Sequence, residues 1–447
     1  MAEHRAPHQG SFRRVGGMID GRPHTGRSTP KAAGPSGRRR PPRMDADVTD
    51  AAGMPGVNGP DGGGSKPPSG RRRRLLRWVG LAMALMVLVG AGAAWWLYRK
   101  LDANITPDTS AAAELERYEK ERPTQAVRGA QNILLIGSDS RAGKENGRYG
   151  QDGGTQRSDT TILLHVAADR KSATAVSIPR DLMTEVPSCR RADGSRTTEQ
   201  FAQFNWAFQF GGAACTIRTV EKLSGIRVDH HMVVDFGGFK KMIDAVGGVE
   251  ICLKRPIDDT EAKLKLPAGR QTLRGEQALG FVRARYSLGN GSDTERMSRQ
   301  QQFLGALVKK VQSNGVLLNP AKLYPLLDAA TSSVTTDPGL ASLRGLYELV
   351  RDMRDIPIDR TQFLTVPRKP YEANPNRDEL LEPDASRLFL QLRMDRPVTV
   401  SPAQPAQAAA DPKQPGEAAA STSSQVTGSA TPAPTFTGTT ADTATCR

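Results

Sequence analysis

A chain of 447 residues has room for more than one domain, yet only 37% of it is apolar and 5% aromatic, so long stretches contribute little to any core. The formal charge of +15 is unevenly spread: residues 1–77 hold sixteen Lys/Arg against six Asp/Glu and so supply +10 of it. The four cysteines and six histidines show no CxxC or HExxH spacing, which argues against a zinc site.

In chain order, residues 1–77 are basic and too poor in large apolar side chains to offset their ordering entropy, which predicts a disordered tail. Arg71–Arg74 and Arg77 then precede VGLAMALMVLVGAGAAWWLY, Val79–Tyr98, which carries no charge. At ~1.5 Å per residue such a run crosses the roughly 30 Å hydrocarbon core of a bilayer. Trp78 at one end and Trp95, Trp96 and Tyr98 at the other stand where interfacial aromatics belong. The predicted transmembrane helix is thus 78–98. The basic cluster before it puts the N-terminus in the cytoplasm and the rest of the chain outside, in a single-pass arrangement. A cleaved signal peptide, for which Ala91-Gly92-Ala93 offers small residues, fits less well because the apolar run is long and starts far into the chain.

Residues 99–129 are polar and predict a stalk, helical around Ala111–Glu121. From Ala130 the texture changes to that of a domain ending near residue 395, with its core over 130–312. Short apolar runs at Asn132–Gly137, Thr160–Val166, Ala173–Ile178, Met232–Phe236, Gly248–Leu253 and Gln362–Val366 predict strands. Helical periodicity at Thr216–Leu223, Gly275–Arg283, Glu295–Gln312, Pro320–Ala330 and Leu340–Met353 predicts helices between or after them. Strands mixed with helices give an α/β sandwich around a largely central sheet. Residues 396–447 are rich in Ala, Pro, Thr, Ser and Gln and predict a disordered tail. Outside the membrane disulfides are permitted, and Cys189 and Cys215 lie within one domain and can pair. Cys252, on a predicted strand, reads as a small buried apolar residue, and Cys446 lies near the C-terminus.

The chemistry collects at strand ends. The first strand runs into Gly137-Ser138-Asp139-Ser140-Arg141, the second is preceded by Arg157-Ser158-Asp159, and the third runs into Pro179-Arg180-Asp181. The second and third strands are joined by a link short enough for a hairpin, so they are antiparallel and share one rim. Asp139 and Arg141 join that rim if the first strand runs alongside the third. Arg283 and Arg285 end a helix, and Arg296, Arg299, Gln300 and position 303 follow helical spacing on the next. Arginine's planar fork suits phosphate oxygens and keeps its charge, while carboxylates hold Mg²⁺ against substrate phosphates. Together they describe a pyrophosphate site. The plainer alternative is a set of surface Arg–Asp ion pairs, which accounts poorly for their recurrence at three successive strand ends. No GxxxxGK[ST] loop or Gly-rich dinucleotide turn is present, which disfavours a nucleotide substrate.

Several motifs, in this order and spacing, resemble the LytR-CpsA-Psr family: NILLIGSDSR, RSDTTILLHV, SIPRDL, Phe204-Asn205-Trp206-Ala207-Phe208 with Gly211-Gly212, VDFGGFKKMIDAVGGVEI, GEQALGFVRARYS and DTERMSRQQQFL. The resemblance covers residues 130–312 closely and extends towards 395. It implies that family's α/β/α sandwich with a central mixed sheet behind one transmembrane helix. It further implies a Mg²⁺-dependent phosphotransferase, with Mn²⁺ as the alternative ion. Such an enzyme moves a glycopolymer from an undecaprenyl pyrophosphate carrier to the C6 hydroxyl of N-acetylmuramic acid in peptidoglycan. By position, Asp139 and Asp159 match the metal-associated carboxylates. Arg141, Arg157, Arg180, Arg283, Arg285, Arg296 and Gln300 match the phosphate-contacting residues, and Arg299 is a further candidate beside them. Asp139, Asp159, Arg180, Asp181, Arg283 and Arg285 are the expected catalytic set, with Asp181 orienting Arg180 or removing a proton.

Other residues have plainer readings. His165 lies in an apolar strand and is expected as a packed core residue, and His230 and His231 have no acid nearby in sequence. Phe201, Phe204, Trp206, Phe208 and Phe210 could equally line a lipid cleft or pack a core. Two alternatives to transfer are a polyprenyl-pyrophosphate hydrolase, with water as acceptor, and a non-enzymatic regulator of the cell envelope. The basic tail lacks a helix-turn-helix pattern and serves as a topology signal and for contact with anionic lipid, so no nucleic-acid partner is expected.

Overall fold

The computed structural model describes residues 69–139, 157–284, 293–313, 320–402 and 434–443. Among them nine strands form one mixed sheet: β1 (Thr106–Pro107), β2 (Gln131–Ser138), β3 (Ser158–Val166), β4 (Ala173–Ile178), β5 (His230–Val234), β6 (Val334–Thr336), β7 (Thr361–Thr365), β8 (Thr399–Ser401) and β9 (Thr435–Thr440). They lie in the order β1-β6-β5-β2-β3-β4-β7-β9-β8. The β2, β3 and β4 strands are successively antiparallel, while β5 runs parallel to β2 and β7 parallel to β4.

Period-two alternation sets the layers. On β2, Leu134 and Ile136 enter one buried cluster, whereas Ile133 and Leu135 enter another on the opposite face. The first face is covered by α2 (Thr109–Arg117), α3 (Trp206–Ser224) and α9 (Asp384–Arg393), through Leu115, Ile217 and Leu388. The second is covered by α6 (Asp293–Ser313) and α8 (Leu343–Arg354), through Leu304, Val308, Leu349 and Met353. A third cluster gathers α4 (Phe236–Ala245), α5 (Gly275–Arg283) and α6 over the short strands Val249–Leu253 and Leu264–Leu266. The α/β/α sandwich with a central mixed sheet is therefore as expected.

Among the described residues one helix, α1 (Ser69–Asn104), is long and apolar enough to cross a membrane, and its apolar window is exposed throughout. The expected polar stalk at 99–129 is not one. Leu101 and Ile105 are buried, β1 pairs with the sheet edge, and α2 packs Ala111 and Leu115 into the core. The segment reads as polar because α2 buries only a narrow face. The expected tail from 396 is likewise partly built in: β8 and β9 extend the sheet, with Phe436 and Ala441 buried. In β9 the alternation TFTGTT was hidden by the Thr- and Pro-rich composition around it.

Cys189 and Cys215 form a disulfide across a separation of 26 residues. Gly211 lets α3 pass over it, since a Cβ there would lie 2.9 Å from the Arg190 carbonyl oxygen and 3.0 Å from the Cys215 Cβ. Cys252 is also disulfide-bonded and so is not the simple packed thiol expected.

Candidate active site

The rim forms where β2 ends, β3 begins and β4 ends. The β2 strand does not run alongside β4; it pairs with β3, which lies between them. Two antiparallel steps make β2 and β4 parallel, so their C-terminal ends still meet at the start of β3. The register shifts at this point: Gly137 faces Thr160 but Ser138 faces Ser158, which leaves Asp159 as the extra residue of a β-bulge. A bulge re-aims one side chain out of the alternation, and here that side chain is a carboxylate.

Arg180 fixes the rim. Its Nη1 donates to Asp159 Oδ1 at 3.0 Å and its Nε to Asp181 Oδ2 at 3.2 Å. Asp181 Oδ1 in turn accepts from Arg377 at 3.2 Å, so Asp181 holds Arg180 in place. Arg377 was not legible as a partner, because it stands on a hairpin almost two hundred positions away in sequence. Asp139 accepts the backbone N–H of Arg157 at 2.7 Å, while the Arg157 side chain is exposed.

From α5 and α6 come the remaining cations. Arg283 lies over the Phe236 ring at 4.6 Å. Arg296 is 4% exposed and its Nη2 reaches the Asp159 carbonyl oxygen at 3.5 Å. Gln300 donates to Thr160 Oγ1 at 3.0 Å and to the Val282 carbonyl at 3.2 Å. Arg299 takes a different place: it donates to the carbonyl of Ala284, at the C-terminus of α5, and so steadies the helix that presents Arg283. Burial, against the pull of Glu295 and Asp259, holds the Arg299 guanidinium below its ordinary pKa. The structure thus gathers Asp139, Asp159, Arg180, Asp181, Arg283, Arg296 and Gln300. Arg141 and Arg285 lie outside the described residues.

Beneath the rim lies a cavity of about 620 Å³. Asp159, Arg283, Arg296 and Gln300 stand at its polar end, and Phe236, Phe239, Phe303 and Leu307 line its apolar body. The sequence did not reveal these residues as a lining, since each belongs to a helix that looks ordinarily amphipathic. The aromatic row that could equally line a lipid cleft or pack a core does not line this cavity. Phe204 and Phe208 are in the opposite core, Phe201 and Trp206 are exposed, and Phe210 packs beside the Cys189–Cys215 disulfide.

The donor set at the rim suits a hard divalent cation. Asp139 and Asp159 supply only oxygen, and two carboxylates are what Mg²⁺ takes when water and substrate phosphates complete its shell. Among the described residues no group of three or more His, Cys, Asp or Glu is clustered for a metal. The described histidines stay outside the site. His165 bonds Asn132 and Asp395 at 2.8 and 3.0 Å within the core, as expected. His230 and His231 do have acidic partners, Asp337 at 3.1 Å and Asp108 at 3.4 Å, brought from distant segments.

The LytR_cpsA_psr family model matches residues 102–390. The chain is 35% identical over 269 residues to the cell wall biosynthesis protein LcpA of Corynebacterium glutamicum, covering 54% of this chain and 51% of that one. It is 37% identical over 236 residues to the probable cell wall biosynthesis protein LcpB of the same organism, covering 51% and 54%. With TagV of Bacillus subtilis, a polyisoprenyl-teichoic acid–peptidoglycan teichoic acid transferase, identity is 31% over 327 residues, covering 71% and 77%. The chain spans about half the length of the two corynebacterial relatives. The family match covers more than half of the chain and includes seven of the nine sheet strands and the rim: the chain belongs to the LytR_cpsA_psr family.

Proposed function

We propose that this chain is a phosphotransferase that moves a glycopolymer from a polyprenyl pyrophosphate carrier to peptidoglycan. One observation carries the reading: an apolar cavity of about 620 Å³ opens at a rim of Arg180, Arg283, Arg296, Asp139 and Asp159. A lipid-linked pyrophosphate has just these two parts, an apolar tail and an anionic head. The transferase names of its relatives support the same reading.

In this scheme the isoprenoid tail occupies the cavity and the guanidinium groups hold the pyrophosphate oxygens. An acceptor sugar hydroxyl attacks the phosphorus that bears the glycopolymer. A new P–O bond forms, the anhydride P–O bond breaks, and polyprenyl phosphate leaves, its freed oxygen taking up the proton that the hydroxyl gives up. Charge developing on the phosphoryl and leaving oxygens is stabilised by arginines already fixed in a site shielded on one side by apolar walls. Asp181, bonded to both Arg180 and Arg377, keeps the Arg180 fork aimed at the rim. Asp139 and Asp159 are the residues that would hold Mg²⁺, which when bound neutralises phosphate charge. The basic N-terminal flank and the apolar α1 support a single-pass membrane protein with this domain outside.

The test is the full chain in vesicles with Mg²⁺, a labelled polyprenyl-pyrophosphate-linked sugar and peptidoglycan, with Asp159→Ala as control. Label bound covalently to peptidoglycan and lost in the control is the expected result. Phospho-sugar released to solution, with none on the wall, would instead make the protein a hydrolase.

A further inference from the structure

The last turn of α1 is held between two helices of the domain. On one side stands α7 (Pro320–Thr331). Lys100 Nζ donates to Tyr324 Oη at 2.9 Å, and Asn104 Nδ2 donates to Asp328 Oδ1 at 3.0 Å and to Thr331 Oγ1 at 3.4 Å. On the other side stands the N-terminus of α8. Asp102 Oδ1 accepts the backbone N–H of Leu343 at 2.9 Å, and Ser342 Oγ accepts that of Gly345 at 3.0 Å. Two of the N–H groups that a helix start leaves unbonded are thus satisfied, one of them by α1 itself. The helix dipole favours a carboxylate at that place. Leu101 and Ile105, which alternate with the bonded residues, are buried, so α1 and α8 meet in a fixed junction.

The height of this junction follows from the sequence. Asp102 lies four residues past Tyr98, the end of the apolar run. At ~1.5 Å per residue that is about 6 Å, and the headgroup layer of a bilayer is roughly 5–8 Å thick on each side of the hydrocarbon core. Arg344 is within electrostatic reach of Tyr98. Arg99 and Lys100 lie over Trp95 and Trp96 at 5.4 and 5.8 Å, cations beside the aromatics that mark an interface. The first turn of α8 is therefore at headgroup height. From there α8 crosses the strands at the end of the sheet opposite the rim. Asp337, in the loop that leads into it, bonds His230 at the start of β5. Asp352, in its last turn, bonds Arg170 in the turn between β3 and β4 at 3.0 Å. The eight residues of β2 place the rim roughly 25 Å from this end, at ~3.3 Å per residue.

The two faces of α8 differ. Leu349 and Met353 pack into the core, whereas Arg344, Tyr347, Val350, Arg351 and Arg354 recur at helical spacing on the exposed face. Tyr347 is 64% and Val350 47% exposed. Glu348, Asp352 and Asp355 pair with these arginines at 2.9–3.3 Å, but ion pairs so exposed are weak, and a guanidinium exchanges such a partner readily for a phosphate. Asp352 is also shared with Arg170. Arginines around a tyrosine and a valine make a surface suited to anionic headgroups.

We propose that this face of α8 is a docking surface for anionic phospholipid. It lies on the bilayer beside α1, with Arg344, Arg351 and Arg354 on lipid phosphates and Tyr347 among the headgroups. The α1 helix attaches the domain and α8 orients it: a second contact with the bilayer keeps the rim turned away from the membrane, where α1 alone would let the domain tilt. The inference rests on α1 as a membrane span and on no step of the transfer.

The full chain, carrying p-benzoylphenylalanine in turn at Tyr347, Val350, Leu85 or Glu372, is reconstituted in vesicles of phosphatidylglycerol or of phosphatidylcholine and irradiated. Both lipids are radiolabelled in the glycerol backbone and the acyl chains. Leu85 lies within the apolar run, and Glu372, exposed on the hairpin beside the rim, is the reference. In phosphatidylglycerol, lipid labelling at Tyr347 and Val350 is expected at least about tenfold above that at Glu372. It is expected to fall at least about fivefold in phosphatidylcholine, and equally in an Arg351→Gln/Arg354→Gln variant kept in phosphatidylglycerol. Labelling at Leu85 with none above the reference at Tyr347 and Val350 overturns the docking and leaves the span; absence of labelling at Leu85 overturns the span as well. Labelling that either change leaves intact is proximity without headgroup recognition and overturns the proposal, as does crosslinking of two copies through Tyr347 in place of lipid.

Discussion

Asp159 is the residue on which the rim turns, because the bulge of β3 presents it and Arg180 is bonded to it. Its pair with Arg180 is partly exposed, 35% for the carboxylate side chain and 22% for the arginine, so removal costs at most about 1 kcal/mol of stability. Asp159 acts through the positive charge it fixes, the Arg180 fork and the Mg²⁺ it would hold, and losing such charge from the transition state costs roughly 10²–10³ in kcat. Asp159→Ala is therefore expected to lose turnover by that factor while its urea midpoint barely moves; a collapse of both together would mark a structural role instead. A different test separates the histidines from the chemistry. The hydrogen bond with Asp337, opposed by burial, raises the pKa of His230 above its ordinary value. A raised folded-state pKa stabilises fully below the unfolded value of about 6.5 and loses that contribution as pH rises through the folded value. The stability advantage of the wild type over His230→Gln, from urea unfolding at about pH 5.5 and pH 8.5, is expected to shrink at the higher pH. Burial acts on His165 in the opposite sense and lowers its pKa, against Asp395. Its contribution is complete above about pH 6.5 and lost as pH falls, and it cancels from the comparison.

Among the elements, α2 shows how a segment that reads as a linker becomes part of a domain. Asp108 caps it, accepting from Ala111 N at 2.9 Å and Ser110 Oγ at 2.8 Å, and its other oxygen meets His231 at 3.4 Å. Burial favours the neutral acid, but the bonds to His231, Ala111 and Ser110 outweigh it and hold the pKa down to about 2. Asp108→Ala is expected to cost about 1–2 kcal/mol, most of it the lost cap. Since the folded pKa lies below the unfolded value, the carboxylate's contribution is present above about pH 4 and vanishes as pH falls towards 2. The deficit of the variant, read from thermal unfolding, should accordingly narrow on acidification. The Asp-x-x-Ala start of α2 could be seen in sequence as a helix beginning; its docking could not, because the partner His231 sits on β5. The rim was legible for the converse reason. Asp139, Asp159, Arg180 and Asp181 are charges directly abutting apolar runs, and a strand's end is a local property of the chain. The cavity is not local. Phe236, Phe239, Phe303 and Leu326 come from three helices, and only their packing leaves a space between them.

At the scale of the whole molecule, sheet closure reaches far beyond the motifs. The outer edge of β7 is covered by β9, and β8 then pairs with β9. Phe436 is buried in the same cluster as Val176 and Leu364, and Ala441 in the cluster on the other face with Phe363. The C-terminal strand thus seals both cores at one side, although the composition around it reads as tail. A chain ended after residue 402 keeps every rim residue but loses β9. Uncovering one buried Phe position costs about 3–5 kcal/mol, and β7 is left with unpaired N–H and C=O groups on an open edge. The expected outcome is a thermal midpoint at least about 5 °C below that of the full chain, with concentration-dependent aggregation. Phe436→Ala in the full chain should reproduce part of the thermal shift without the aggregation, since its edge stays paired. An unchanged midpoint in the truncated chain would mean that β9 is dispensable and that the domain ends with α9, near the boundary that composition alone suggests.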